Sequence, residues 1–224
     1  LKAHQAYTLL NIANEAGGWG VSDAVFEETY TSAITRIRGK GLELPIVIDM
    51  PAYGRAYQYA IGGMIEVDGV DRTIPGKALE LLAHDAIENG KNGADANLIF
   101  SWHAWDLEEH LEHDYDTIFS KANNLGTEGI AFIVGEFAHQ DALCEGDDVP
   151  YAKLIRSADA HNIGWAWWWW TGDCHGLAET WRWDDGLRSI GDEIVTGREG
   201  ASGFEGLNSA KRTHFFESGG TCRL

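Results

Sequence analysis

Two glutamates each close an apolar run: Glu15 ends AYTLLNIANE and Glu136 ends GIAFIVGE. Runs of this kind, without polar alternation, read as strands buried on both faces, as in parallel sheets covered by helices. Ligands of such sheets bind at the C-terminal strand ends, so acids placed there are site candidates. If both strands belong to one parallel system, the two carboxylates project into one rim. Hydrolysis of a glycosidic bond with retention requires that pair: one carboxylic acid to protonate the leaving oxygen, and one carboxylate about 5 to 5.5 Å away to attack. Three neighbours fit the same chemistry. Asn14 could hydrogen-bond a sugar hydroxyl, His103 follows the run NLIFSW and could hold one carboxylate in place, and Trp168 with Trp170 share a face of IGWAWWWWT by period-two alternation, where one could floor a pocket. The plain alternative for either acid is a buried glutamate in a structural ion pair.

The elements that must position these residues follow one another as β–α units. Ala6–Ala13 reads as the first strand, and 22–38 as a helix after a Ser22 or Asp23 N-cap, stopped by Gly39 and Gly41. Leu44–Met50 is the second strand, with Asp49 near its end. Residues 61–76 carry no clear period and read as an insertion or a short helix. A helix over 77–88, a strand over 97–102, a helix over 108–126, the strand before Glu136, a helix over 149–161 and a strand over 163–171 complete five repeats, the pattern of an α/β parallel sheet with crossover helices. One closing helix is expected around Ile190 and Ile194. The expected organisation is a single catalytic domain over 1–196 and a Gly- and Ser-rich tail over 197–224.

Composition narrows the partners. The 224 residues carry a formal net charge of −18, which repels nucleic acid and anionic membrane and leaves a neutral polymer or small molecule as the natural ligand. Ten Trp against two Met favour sugar faces as well as core packing. Nowhere do 18 apolar residues run together. The acids and histidines of 108–114 read as a solvated helix face, so neither metal nor cofactor is expected.

Five segments in order, NIANEAGGW, VIDMPAYG, IFSWHAW, IVGEFAHQ and GWAWWWWTGD, resemble the second half of glycoside hydrolase family 5 in clan A, and most of all its bacterial endo-β-1,4-mannanases. The resemblance runs from Tyr7 to about Val195. It implies a (β/α)₈ TIM barrel of which this chain supplies about strands four to eight, without the three strands that carry an arginine and a histidine of the family's site. It implies that Glu15 is the acid/base, Glu136 the nucleophile, Asn14 the residue that binds the sugar's 2-hydroxyl, His103 the histidine ending the sixth strand and Trp168 the floor of the subsite. Trp105 stands where the family has a tyrosine supporting the nucleophile, and Trp168-Trp169-Trp170 with Gly172-Asp173 replace the mannanase WSW and Gly-Asn. Hydrogen bonds to Glu136 are expected to keep it charged.

The implied activity is endo-cleavage of β-1,4-mannan by double displacement. An endo-β-1,4-glucanase on the same fold or a non-catalytic sugar-binding relative are the alternatives. Cys144 and Cys174 follow strands that are neighbours in the barrel, so the two could join rim loops, which with a polymeric substrate suits a secreted enzyme.

Overall fold

The computed structural model describes residues 1–93, 95–106, 110–127, 129–140, 144, 149–169, 171–172 and 174–178. The closing helix expected near Ile190, the tail over 197–224 and Trp170 lie outside the described residues. The chain divides into two compact units, Leu1–Phe137 with Ser157–Ala166, and Ala138–Arg156 with Trp167–Leu224.

The first unit is built on a five-stranded parallel sheet. Its strands are β1 (Leu10–Asn11), β2 (Ile46–Asp49), β5 (Leu98–His103), β6 (Phe132–Glu136) and β7 (Gly164–Trp165), adjacent in that order. Between β2 and β5 an antiparallel hairpin is inserted, β3 (Gly63–Val67) and β4 (Val70–Ile74). The helices are α1 (Asp23–Arg38), the single turn α2 (Gln58–Ile61), α3 (Ala78–Gly90), α4 (Tyr115–Asn123) and α5 (Tyr151–Ala160). All four β2 residues are buried, as are Phe100, Trp102, Phe132 and Val134, which is why these segments lack the alternation of a one-sided sheet. Against them α1 turns the stripe Phe26, Tyr30, Ile34 and Arg38, spaced i, i+4, and it starts where Ser22 Oγ accepts from the Val25 amide at 3.2 Å.

Below the N-terminal ends of β2 and β5, Arg38 is fully buried against Asp85 of α3, with Nε donating to Oδ1 at 2.7 Å. Its other nitrogens donate to the carbonyls of Leu42, Leu44 and Asn97, while Asp85 also accepts from the Asn97 amide. The pair thus closes the loops that feed both central strands.

Four expectations shift. The first strand shrinks to Leu10–Asn11, preceded by a 3₁₀ helix over Lys2–Tyr7. Among the described residues it is the sheet's edge with one partner, and Tyr7 and Leu9 are exposed. Residues 61–76 form the hairpin, turning at Asp68-Gly69 with φ of +53° and +76°, the signature of a two-residue turn. The helix expected over 108–126 begins at Tyr115, because Asp114 caps it by accepting from the Thr117 amide at 2.8 Å. The last strand ends at Trp165, so Trp168 stands beyond it and strand alternation does not set its face.

In the second unit Trp167 stacks on His139 at 6.0 Å and meets Tyr151 edge-on at 5.6 Å, and its indole donates to the His175 carbonyl. Cys144 and Cys174 form a disulfide with Cα atoms 6.0 Å apart. Trp168 is 37% exposed and stacks on Trp169. No described helix is long and apolar enough to cross a membrane.

Candidate active site

Glu15, His103 and Glu136 converge at the C-terminal end of the sheet. The β5–β6 register slips between Trp102 and His103: Trp102 pairs with Val134, but His103 pairs with Glu136, so Gly135 is the extra residue. A bulge of this kind re-aims a side chain at a site. Gly135 is required there, since a Cβ would lie 2.1 Å from Ser101 Oγ and 3.4 Å from the His103 ring. On the ring's other side Gly54, at φ +80°, approaches so closely that a Cβ would sit 2.4 Å from His103 Cγ. Two backbones therefore wedge the imidazole, which is 2% exposed.

His103 is surrounded by acids. Its Nδ1 lies 3.0 Å from Glu15 Oε1 and 3.4 Å from Glu136 Oε2, and its Nε2 lies 3.4 Å from Asp49 Oδ2. Carboxylates at both nitrogens are met in full only by the imidazolium, which donates from each. Burial works to lower the histidine's pKa, but the hydrogen bond to Asp49, the charge of Glu136 and the bond to Glu15 outweigh it and hold His103 above its ordinary value. Single oxygens of Glu15 and Glu136 and a nitrogen of His103 all lie within 4.8 Å of one another.

Glu136 has 11% of its side chain exposed and Glu15 32%. Burial pushes the Glu136 carboxyl above its ordinary value; the charge of His103 opposes this, the charges of Glu15 and Asp49 reinforce it, and a hydrogen bond from Trp105 opposes it again. Desolvation outweighs the hydrogen bond from Trp105 in setting the direction of the shift. Trp105 does take up a supporting contact to Glu136 where the family's tyrosine would stand, and is itself buried.

Asp49 organises the other side. It is buried, and its carboxylate accepts from Asn11 Nδ2 at 3.2 Å and from the Glu15 amide at 3.1 Å, while its own carbonyl accepts from Tyr30 Oη. Burial raises its carboxyl, yet the bond and charge of His103 and the donors Asn11 and Glu15 hold it below its ordinary value. Asn11 Oδ1 in turn accepts from the Ala13 amide two residues on. These bonds pin the loop in which Glu15 adopts a φ of +50°, a conformation that a non-glycine residue keeps only when its surroundings impose it. Asn14 beside it is exposed. Asn11 and the role of Asp49 are missed by sequence reasoning, although the strand-end rule that selects Glu136 also selects Asp49.

As donors for a cation, Glu15, His103 and Glu136 form one group of three; Cys144, Cys174 and His175 form another, whose thiols are tied in the disulfide. Trp168, in the second unit, is described above, and Trp170 is outside the described residues.

A family model described as "Cellulase (glycosyl hydrolase family 5)" matches residues 3–173, more than half of the 224-residue chain. The chain belongs to glycosyl hydrolase family 5. Among family 5 relatives, the mannan endo-1,4-beta-mannosidase of Streptomyces lividans is 24% identical over 166 residues, 74% of this chain and 37% of its own length. That of Salipaludibacillus agaradhaerens is 24% identical over 198 residues, 86% and 54%. The chain thus spans between 37% and 54% of these two relatives.

Among solved structures, the catalytic domain of a mannanase from Streptomyces sp. SirexAA-E superposes with a TM-score of 0.64 at 20% identity, over 89% of this chain and 55% of that one. The mannotriose complex of Thermomonospora fusca β-mannanase gives 0.63 at 22%, over 90% and 59%. The family and the TIM-barrel fold expected from the five segments are both borne out.

Proposed function

We propose that this chain carries the catalytic pair of a retaining glycoside hydrolase that cleaves β-1,4-mannan internally. The observation that carries the reading is two glutamates, Glu136 ending β6 and Glu15 in the loop after β1, whose oxygens approach within 4.8 Å beside one buried histidine. Glu136 attacks the anomeric carbon while Glu15, protonated, donates to the departing oxygen; Glu15 then takes the proton of the water that frees the sugar. Charge is conserved around His103 through the first step. Glu15 becomes a carboxylate as Glu136 is neutralised in the ester, so the imidazolium, 3.0 and 3.4 Å from the two, keeps one anionic partner throughout. Environment alone would favour the more buried glutamate as the acid. The assignment of Glu136 as nucleophile instead rests on its place in IVGEFAHQ and on the Trp105 donor, which stabilises an anion there. Asn14 would contact the sugar, and the chemistry needs no cofactor.

Mannan is favoured because the relatives cited are mannan endo-1,4-beta-mannosidases and the Thermomonospora structure holds mannotriose. A β-1,4-glucan is the second reading, supported by likeness to a structure of XacCel5A in complex with cellopentaose, TM-score 0.53 at 18% identity. The disulfide supports a secreted enzyme, since such bonds persist in oxidising compartments. The test is reducing-sugar release from β-mannan and carboxymethylcellulose side by side, with Glu136→Gln as control. Release that the variant lacks, and the preferred polymer, identify the enzyme. No release from either polymer by a folded protein that still binds mannan would leave a binding-only relative.

A further inference from the structure

We infer that Cys144, Cys174 and His175 form a redox-gated metal site: joined through a disulfide when oxidised, they bind one thiophilic divalent cation of the zinc or cadmium class when reduced. The inference concerns the second unit alone and does not rest on the hydrolase reading.

The ligand atoms are already gathered. The two sulfurs and one ring nitrogen of His175 lie within 4.8 Å of one another, and Cys144 Sγ is 3.8 Å from His175 Nε2. Around a tetrahedral zinc ion, bonds of about 2.3 Å to sulfur and about 2.0 to 2.1 Å to nitrogen place those two atoms about 3.6 Å apart. The Cys144–His175 spacing is therefore already close to that of two ligands of one cation. Once the disulfide is reduced, the sulfurs need part only to about 3.8 Å. Rotation about the side-chain bonds supplies this while the Cα atoms stay 6.0 Å apart.

Bonds other than the disulfide hold the histidine in place. His175 is buried, and its carbonyl accepts from the Trp167 indole at 2.9 Å. That indole stacks on His139 and meets Tyr151 edge-on. The following residues fold back on 169–171, where the Leu177 amide donates to the Trp169 carbonyl at 3.2 Å and Ala178 bridges Thr171. A ligand held by its surroundings loses less freedom when it binds. The chemistry of the donors selects the ion. Two thiolates and a neutral imidazole neutralise a divalent charge, which suits a site where both cysteines are half-buried and the histidine is buried. Sulfur with imidazole favours zinc-class ions over calcium and magnesium, which take oxygen ligands.

The test uses the full chain with Cys222→Ser, which leaves Cys144 and Cys174 as its only cysteines. A phosphine reduces the disulfide: the S–S bond breaks, the phosphine takes the oxygen of a water to become its oxide, and the two hydrogens of that water end on the two sulfurs. With the phosphine removed under anaerobic conditions, the protein is titrated with Cd²⁺, each thiol releasing its proton as the sulfur binds. The reduced protein should show a saturable ultraviolet thiolate-to-cadmium band at one Cd²⁺ per chain, and the oxidised protein none. His175→Ala should weaken binding by at least about tenfold against a competing chelator, since even the outer-shell partners of a ligand contribute about 10- to 100-fold. If circular dichroism shows that variant unfolded, NMR-active cadmium on the histidine-intact protein decides, through scalar coupling to Nε2 of His175. No band in the reduced protein, unchanged affinity in a folded His175→Ala, or bound cadmium without coupling to His175 would overturn the site.

Discussion

Asp49→Asn preserves the shape of the side chain and removes one acceptor and the charge. The wild-type carboxylate is buried and receives Asn11 Nδ2 at 3.2 Å, the Glu15 amide at 3.1 Å and His103 Nε2 at 3.4 Å. An asparagine must present its NH₂ to one of these donors. The least damaging orientation turns it to Asn11, which could flip its own amide in response. That flip would withdraw the Oδ1 that accepts from the Ala13 amide, an exposed bond that water can replace. Replacing two charge-assisted bonds by neutral ones loses about 1 kcal/mol each. Relief from burying the charge offsets part of this, leaving an expected destabilisation of roughly 1–2 kcal/mol at pH 7. The sign follows from Asp49's lowered folded value: the stability it supplies is present above the unfolded value of 3.8 and is lost as pH falls through the folded one, so the two proteins converge in acid. His103, whose Nε2 partner has lost its charge, should titrate at lower pH than in the wild type. Urea unfolding at pH 7 and at about pH 2, below the ordinary carboxylate value, with NMR titration of the His103 ring, reads both effects. Loss of less than about 0.5 kcal/mol, or an unmoved His103 titration, would refute the role given to Asp49.

Four further outcomes are expected. Glu136→Gln should abolish turnover and raise the melting temperature at pH 7, by about 2–4 °C for each kcal/mol of relieved burial. Because the folded Glu136 value lies above the ordinary 4.5, the carboxylate's penalty appears only as pH rises through it, and calorimetry should show the gap closing by pH 4. Trp105→Phe removes a donor that lowers Glu136, so the acidic limb of the kcat/KM profile should move to higher pH; an unmoved limb would deny the indole its supporting part. With an aryl mannoside and azide, Glu15→Ala should yield the β-azide and Glu136→Ala the α-azide by product NMR, and the reverse pattern would exchange the two roles. Asp85→Asn strands the buried Arg38 and should cost about 3–5 kcal/mol in urea unfolding, with kcat unchanged where the protein stays folded, since the pair lies at the N-terminal ends of β2 and β5.

The parallel order of the strands was legible because β2, β5 and β6 are central and buried on both faces, so their sequences carry unbroken apolar runs. The edge strand was overread for the same reason: Tyr7 and Leu9 look like core residues but meet no second partner strand among the described residues. The hairpin was signalled by Val67-Asp68-Gly69-Val70, two β-branched residues around an Asp-Gly turn, yet its exposed positions mix apolar Met64 and Val70 with charged Glu66 and Asp71, and no period emerges over the whole of 61–76. The apolar face of α4, Tyr115, Ile118, Phe119 and Ala122, was legible from periodicity, but its start was not, because the cap is a single aspartate within an acidic run.

At the site, strand ends gave the glutamates by position alone, but what couples them is not a linear feature. His103 faces Glu136 only because the β6 bulge at Gly135 advances the register by one residue, and it is reached by Asp49 only because β2 and β5 are neighbours. A one-residue slip in either strand would turn a carboxylate from the imidazole into the core, where it would be an unpaired buried charge. The glycines that allow the arrangement, Gly54 and Gly135, are therefore as decisive as the acids. A Cβ at Gly54 would lie 2.4 Å from His103 Cγ and one at Gly135 2.1 Å from Ser101 Oγ, so neither glycine can take a side chain without a shift beside the histidine that the two glutamates share.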